Sequence, residues 1–455
     1  MIEKQILRLY FALLLTGFGF TSRADDTTQV GMQIQRDTLP DVPKNLPEKK
    51  APFYSEKDKP LSGFKIRGIK GLAWTPEQYL SEIPILAKYK MNFLMNCYLS
   101  MYSQPPLPGT AWNGETMKNE WWLPIPTEKK AAYEQVFKKS KEYGIDFCFS
   151  IHPQLFSSRP ANLSSEKDFE LLWQHYAWAQ SKGVRWFSVT IDDIDFFAGK
   201  DFKISGEEHA YFVNKLLQRL RKKDKGVQMI LCPTYYSGVG HAVPKEKTYL
   251  EALAKLLDKD VYVFWTGPVA SGAAMEYKSV VKHRMFLWDN YPVNDNSAHA
   301  IHLAPITGRD PALAKVVDGY ISNPLGMQSE INRIPLYTIA DFCYDPYGYD
   351  RKRSIGQAIL EQCDNPRQQE LLLEVVKLYS SDEKGVLFNP ILDNFDRIAA
   401  QPFSRPSADM YLNYLKGVQV RVKELFPNNY DDVKQTLAST IALVDEKYQQ
   451  AYSKL

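Results

Sequence analysis

Residues 186–199 read WFSVTIDDIDFFAG. A hydrophobic run ends in three carboxylates, Asp192, Asp193 and Asp195, set among large apolar side chains. Ionised carboxylates held side by side repel and resist burial, so a close pair titrates apart, one staying an acid while the other ionises. Glycoside hydrolysis uses that division of labour. The plainer alternative is that one Asp caps the next segment and the other is solvated. Other apolar runs also end in polar groups: Thr234-Tyr235-Tyr236, Trp265-Thr266, Trp288-Asp289-Asn290 with Asn294-Asp295 following, and Asn323. Acids, amides and aromatics converging on one mouth are what a carbohydrate site requires.

The elements that must position these groups are legible. Eight short apolar runs begin at Phe64, Phe93, Ile145, Arg185, Gln228, Val261, Arg284 and Asp318, and helical patterns separate them. Thr127 is placed to cap a helix with Tyr133, Val136, Phe137 and Ser140 facing inward, and Gly144 to stop it. Ser165 with Asp168 opens another, which Gly183 ends. Asp310-Pro311 reads as a cap with Pro at the first helical position. Strands and helices alternating over residues 62–350 fit a (β/α)8 TIM-type barrel, with catalytic groups at the carboxyl ends of the strands. A doubly wound open sheet is the rival arrangement. Residues 351–455 carry helical patterns only and read as a C-terminal α-helical domain. Neighbouring residues of a strand point to opposite faces, so Asp192 and Asp193 share a site only where the strand twists into a loop.

Composition bounds the partners. Hydrophobic residues make up 44% and charged residues 24%, ordinary for a globular chain, and a net charge of +3 argues against nucleic acid. Lys4 and Arg8 lead into an apolar stretch from about residue 9 to 20, with small and polar residues to Ala24. This predicts a signal peptide over residues 1–24, export to the periplasm or medium, and no membrane span after cleavage; a retained N-terminal anchor is the alternative. Residues 25–61 are polar and Pro-rich, a leader or linker. The five cysteines form no C-x-x-C pair and suggest neither a disulfide framework nor a zinc site. His299 and His302 sit three apart, which fits a helix after the seventh strand better than a metal site, and no metal or cofactor is expected. His152 ends the third strand and either binds sugar or packs beside Pro153. The basic run at residues 219–225 reads as a solvated helix end.

The segments GVRWFSVTIDDID, LCPTYYSG, VFWTGP, FLWDNYPVND and YISNPLGMQSEINRIPLYTIADF follow one another in the order and spacing of strands four to eight. On these pieces the chain resembles glycoside hydrolase family 84, the β-N-acetylglucosaminidases that include the O-GlcNAcases, from about residue 64 to 349. The resemblance implies a retaining exo-β-N-acetylhexosaminidase acting on glycans or glycoconjugates with a terminal β-linked N-acetylhexosamine. The substrate's own 2-acetamido group would be the nucleophile, through an oxazoline. It implies that Asp192 orients the acetamido N–H and that Asp193 is the acid and base. Tyr236 would assist at the acetamido oxygen, Trp288 would wall the pocket, and Thr266 would line it. Asn290 would bind near the acetamido group, Asp295 would hold O4 and O6, and Asn323 would contact hydroxyls. At the front, KGLAWTP keeps only Gly71 of the family's E-G-F-Y-G motif, and the sugar-binding Lys after strand two is replaced at Leu99. Arg67 and Lys70 are the cations near enough in sequence to substitute for it. A glycosidase of altered sugar specificity and a non-catalytic glycan-binding protein are the competing readings.

Overall fold

The computed structural model describes residues 43, 45–47, 53–54, 63–72, 74–101, 118–194, 201–238, 244–294, 301–326, 330–380 and 389–452. The signal-like segment and most of the leader lie outside them. Eight parallel strands close a barrel in chain order: β1 (Ile66–Gly71), β2 (Phe93–Asn96), β3 (Asp146–Ile151), β4 (Trp186–Thr190), β5 (Gln228–Cys232), β6 (Tyr262–Trp265), β7 (Arg284–Asp289) and β8 (Gly319–Ser322). The ring shuts where β1 pairs with β8, Ile66 opposite Gly319 and Ile69 opposite Ser322. Each strand lies within one of the eight apolar runs.

The period-2 alternation of a strand sorts side chains into two packing layers. In β4, Phe187 and Val189 pack outward against helices, while Trp186 points into the lumen. The lumen is plugged by a ring of aromatics. Phe93 and Trp186 are 5.3 Å apart, Trp186 and Tyr262 5.5 Å, and Tyr262 and Phe286 5.1 Å, all edge-on or tilted. Burying each such side chain contributes roughly 1.5–3 kcal/mol. The plug closes one end, so a ligand enters only at the mouth where the strands end.

The connecting helices are α1 (Pro76–Lys88), α2 (Thr127–Glu142), α3 (Glu166–Ser181), α4 (Phe202–Arg221), α5 (Pro244–Leu256), α6 (Ser271–Val281), α7 (Leu313–Val316) and α8 (Arg333–Tyr344). In α2 the buried face is Tyr133, Val136, Phe137 and Ser140, as the periodicity predicts, and Gly144 follows at φ +70°. Thr127 is not its cap: the helix begins at Thr127 itself, after Pro126, with no side-chain cap. Ser165 does cap α3, accepting from the Asp168 N–H. Asp310 accepts from Ala312 N and also from Ser271 N at the start of α6, but α7 begins only at Leu313. His302 is buried in irregular chain between β7 and α7, not on a helix; His299 lies outside the described residues.

Five further helices follow: α9 (Arg351–Glu361), α10 (Pro366–Leu378), α11 (Pro390–Ala399), α12 (Arg405–Leu425) and α13 (Asp431–Tyr452). Arg421 of α12 forks onto Glu374 of α10 at 2.7 and 3.0 Å. The leader is not wholly a free linker. Phe53 is buried against Tyr337 and Tyr89, and the Tyr54 hydroxyl donates to Asp341 at 2.5 Å. Among the described residues no helix is long and apolar enough to cross a membrane.

Candidate active site

Alternation carries β4 inward at Trp186, Ser188, Thr190 and then Asp192. Asp193 would therefore face outward. The backbone prevents this by turning left-handed at Asp193, φ +53°. That region costs a non-glycine residue on the order of 1–2 kcal/mol, and Asp and Asn tolerate it best. Neighbouring strands hold the peptide groups on both sides. Thr234 Oγ1 donates to the Ile191 carbonyl at 2.7 Å, and His152 Nε2 donates to the Asp192 carbonyl at 2.7 Å. The imidazole tautomer follows from its surroundings: Nδ1 accepts from the N–H groups of Gln154 and Leu155, so the proton is on Nε2. Burial pushes the His152 pKa down to about 3, so this ring is neutral and its 3.7 Å approach to Asp192 Oδ1 is not an ion pair. Of the two roles open to His152, the structure shows packing and positioning.

Both carboxylates line a cavity of about 260 Å³ at the mouth, together with Tyr236, Thr266, Trp288, Asn290 and Asn323. Lys70, Leu72, Tyr98, Leu155, Phe156 and Cys232 complete the lining. Gly71 is not among them. It sits between two lining residues with its carbonyl accepting from the Tyr79 hydroxyl, and a Cβ there would meet that hydroxyl at 2.6 Å. Asp295 and Asp195 lie outside the described residues.

The two acids occupy unlike environments. Asp192 is buried, and its Oδ1 has no hydrogen-bond partner. Burial, and then the neighbouring Asp193 charge, push its pKa up to about 7; Lys70 and the Cys232 thiol pull the other way. Asp193 is exposed and accepts from the Tyr236 hydroxyl at 2.6 Å. Burial, followed by the Asp193 charge, raises the Tyr236 phenol, which keeps it a donor. On the opposite wall Asn323 donates to Asn290 at 3.1 Å, and Asn290 to Thr266 Oγ1 at 3.4 Å. Asn323 Oδ1 is buried and open. Asp289, facing outward by alternation, anchors this wall. Arg309 forks onto it with two 2.8 Å bonds, and its backbone carbonyl accepts from Asn323 N.

Among the polar lining residues, sequence reading missed Tyr98 and Cys232, and it named Lys70 only as one of two cations able to replace the missing Lys. Tyr98 lies in the loop after β2 and packs beside Trp288. Cys232 and Lys70 take inward positions by the same alternation that places Asp192, so the signal for them was present. Lys70 is buried, its ammonium 4.7 Å from the Trp288 ring centre and 5.0 Å from that of Tyr98. Arg67 faces away, bonded to the carbonyls of Lys90 and Phe64. Leu99 is buried in the lumen packing.

The family model described as beta-N-acetylglucosaminidase matches residues 65–377. A point mutant of an O-GlcNAc hydrolase from Thermobaculum terrenum has a similar structure, with TM-score 0.65 and 22% identity over 85% of this chain and 83% of that one. The structure titled CpGH84B gives TM-score 0.62 at 24% identity, covering 85% of this chain and 68% of that one. At these identities the two structures speak for the fold.

Proposed function

The chain belongs to the β-N-acetylglucosaminidase family and is a glycoside hydrolase; on that premise we propose that it is a retaining exo-enzyme whose nucleophile is the 2-acetamido group of a terminal β-linked N-acetylhexosamine. The carrying observation is the arrangement of carboxylates. A double displacement needs two carboxyl groups on opposite faces of the sugar, about 5–5.5 Å apart, and direct inversion needs a wider pair. Here Asp192 and Asp193 are consecutive residues on one strand end, and no other Asp or Glu among the described residues lines the cavity. Both are accounted for in this reading, one at the acetamido group and one at the leaving oxygen, which leaves no further lining carboxylate among the described residues to be the nucleophile and gives that role to the acetamido oxygen. The cavity is small for a ligand site and suits one sugar ring, in keeping with exo action.

The roles follow from the environments. The open Oδ1 of Asp192 accepts the acetamido N–H, and in its ionised form Asp192 stabilises the positive charge of the forming oxazolinium. Asp193, exposed towards the mouth, protonates the leaving oxygen and then deprotonates the attacking water. Tyr236 links Asp193 to the acetamido region, Trp288 forms the wall beneath the methyl group, and Asn323 offers its open Oδ1 to a hydroxyl. Asp295 is assigned to O4 and O6 by the resemblance alone. In the free site burial favours a proton on Asp192. A bound acetamido N–H favours its ionised form, so substrate draws the charge onto Asp192.

Turnover of 4-nitrophenyl β-glycosides with and without the 2-acetamido group tests this. Only the acetamido sugars are expected to react, and a GlcNAc-fused thiazoline should inhibit competitively. A glycosyl ester on any Asp or Glu, trapped with a fluorosugar and found by mass spectrometry, would overturn the reading.

A further inference from the structure

Lys70 is the only cation among the described residues that line the cavity. Burying an ammonium is expensive without compensation. Compensation here includes the faces of Trp288 and Tyr98, which pin the nitrogen at the mouth end of β1, and the attraction of Asp192. Counted over the described lining residues, the charges then balance in one way. With Lys70 positive, the site is neutral when the two carboxyls share one proton. Without Lys70 it is neutral only when both are protonated. The burial of Asp192 and Lys70 favours the neutral arrangement in either case.

We propose that Lys70 is a positioning residue for charge: its ammonium, held between Tyr98 and Trp288, is the counter-ion that lets one carboxyl of the Asp192–Asp193 pair be ionised beside a partner that keeps its proton. The proposal rests on the acid and base roles given above and adds the residue that makes them compatible at neutral pH. The other groups facing the pair do not supply this charge. His152, from β3, is neutral, and the raised Tyr98, Cys232 and Tyr236 stay protonated around neutral pH. From β6, β7 and β8 come the uncharged Thr266, Trp288, Asn290 and Asn323. Among the described residues, Asp193 itself is the only other charged one that lines the cavity.

The test compares wild type, K70M, K70Q and K70R in the pH dependence of kcat/KM for 4-nitrophenyl N-acetyl-β-glucosaminide. Removing the positive neighbour makes ionisation of the pair harder. The acid limb should therefore move up by about one pH unit in K70M and K70Q, a roughly tenfold loss below the limb with little change well above it. K70R should keep the wild-type limb. An equal loss at every pH, or a higher KM with the limb unmoved, would overturn the proposal, since those outcomes mark a packing role or a hydroxyl contact. A second readout does not depend on turnover: the 13C-carboxyl titration of Asp192, assigned by its absence in D192N, should shift upward in K70Q and not in K70R. If wild type hydrolyses no glycoside, the proposed function fails while this titration still decides for or against Lys70.

Discussion

Asp192 is a carboxyl that the fold holds under strain of charge, and this has a cost that can be measured. Its pKa of about 7 lies well above the ordinary 3.8, so between those values the native state binds the proton that the unfolded chain has released. Stability attributable to this group is complete below about pH 4 and is lost as pH rises through 7. Asp192→Asn removes the penalty while keeping the shape. The variant should melt at a higher temperature than wild type at pH 8, with the gap closing by pH 4, and should lose nearly all turnover. Thermal melts at the two pH values check the first part and an aryl-glycoside assay the second; a variant less stable than wild type at pH 8 would show that the buried charge is already compensated. At this scale the sequence announced the pair through its chemistry alone. It did not announce how the pair is aimed. That depends on the left-handed turn at Asp193 and on the grip of His152 on the preceding carbonyl, a contact between strands that no local pattern encodes.

Among the elements, strands were the most readable, because apolar runs with polar ends say both where a strand lies and which end is the mouth. Applied strictly, alternation would also have marked Lys70 and Cys232 as inward residues. Helix starts were less readable. Thr127 looked like a cap, but Pro126 before it already fixes the entry; the side chain of Asp310 bridges two segments that are distant in sequence. The pair at the end of β7 shows the same limit. Asp289 looks like part of the acidic mouth, yet it points outward, buried against Arg309 and the Tyr320 hydroxyl. Breaking such a pair leaves a buried charge without its partner. Arg309→Met should cost about 3–5 kcal/mol, read from urea unfolding. A loss under 1 kcal/mol would mean that water or Tyr320 suffices to hold the Asp289 charge.

For the molecule as a whole, the barrel was legible because its repeating alternation of strand and helix leaves few topologies open. The role of the leader was not, since a polar, Pro-rich stretch gives no sign that Phe53 and Tyr54 will dock beside α8. The closure of the barrel has a consequence in time. β1 and β8 are the first and last strands of the ring, and each is the other's neighbour. Lys70 at the end of β1 and Asn323 just past β8 therefore line one cavity only after the two ends of a long stretch of chain have met. Contacts so distant in sequence form late and slowly. An unfolded chain diluted from denaturant should recover its strand and helix signal first and its turnover last, with the lag set by the seam between the first strand and the eighth. Nascent chains face the same order of events: until the eighth strand has emerged and docked, the polypeptide carries Asp192 and Asp193 and no finished enzyme.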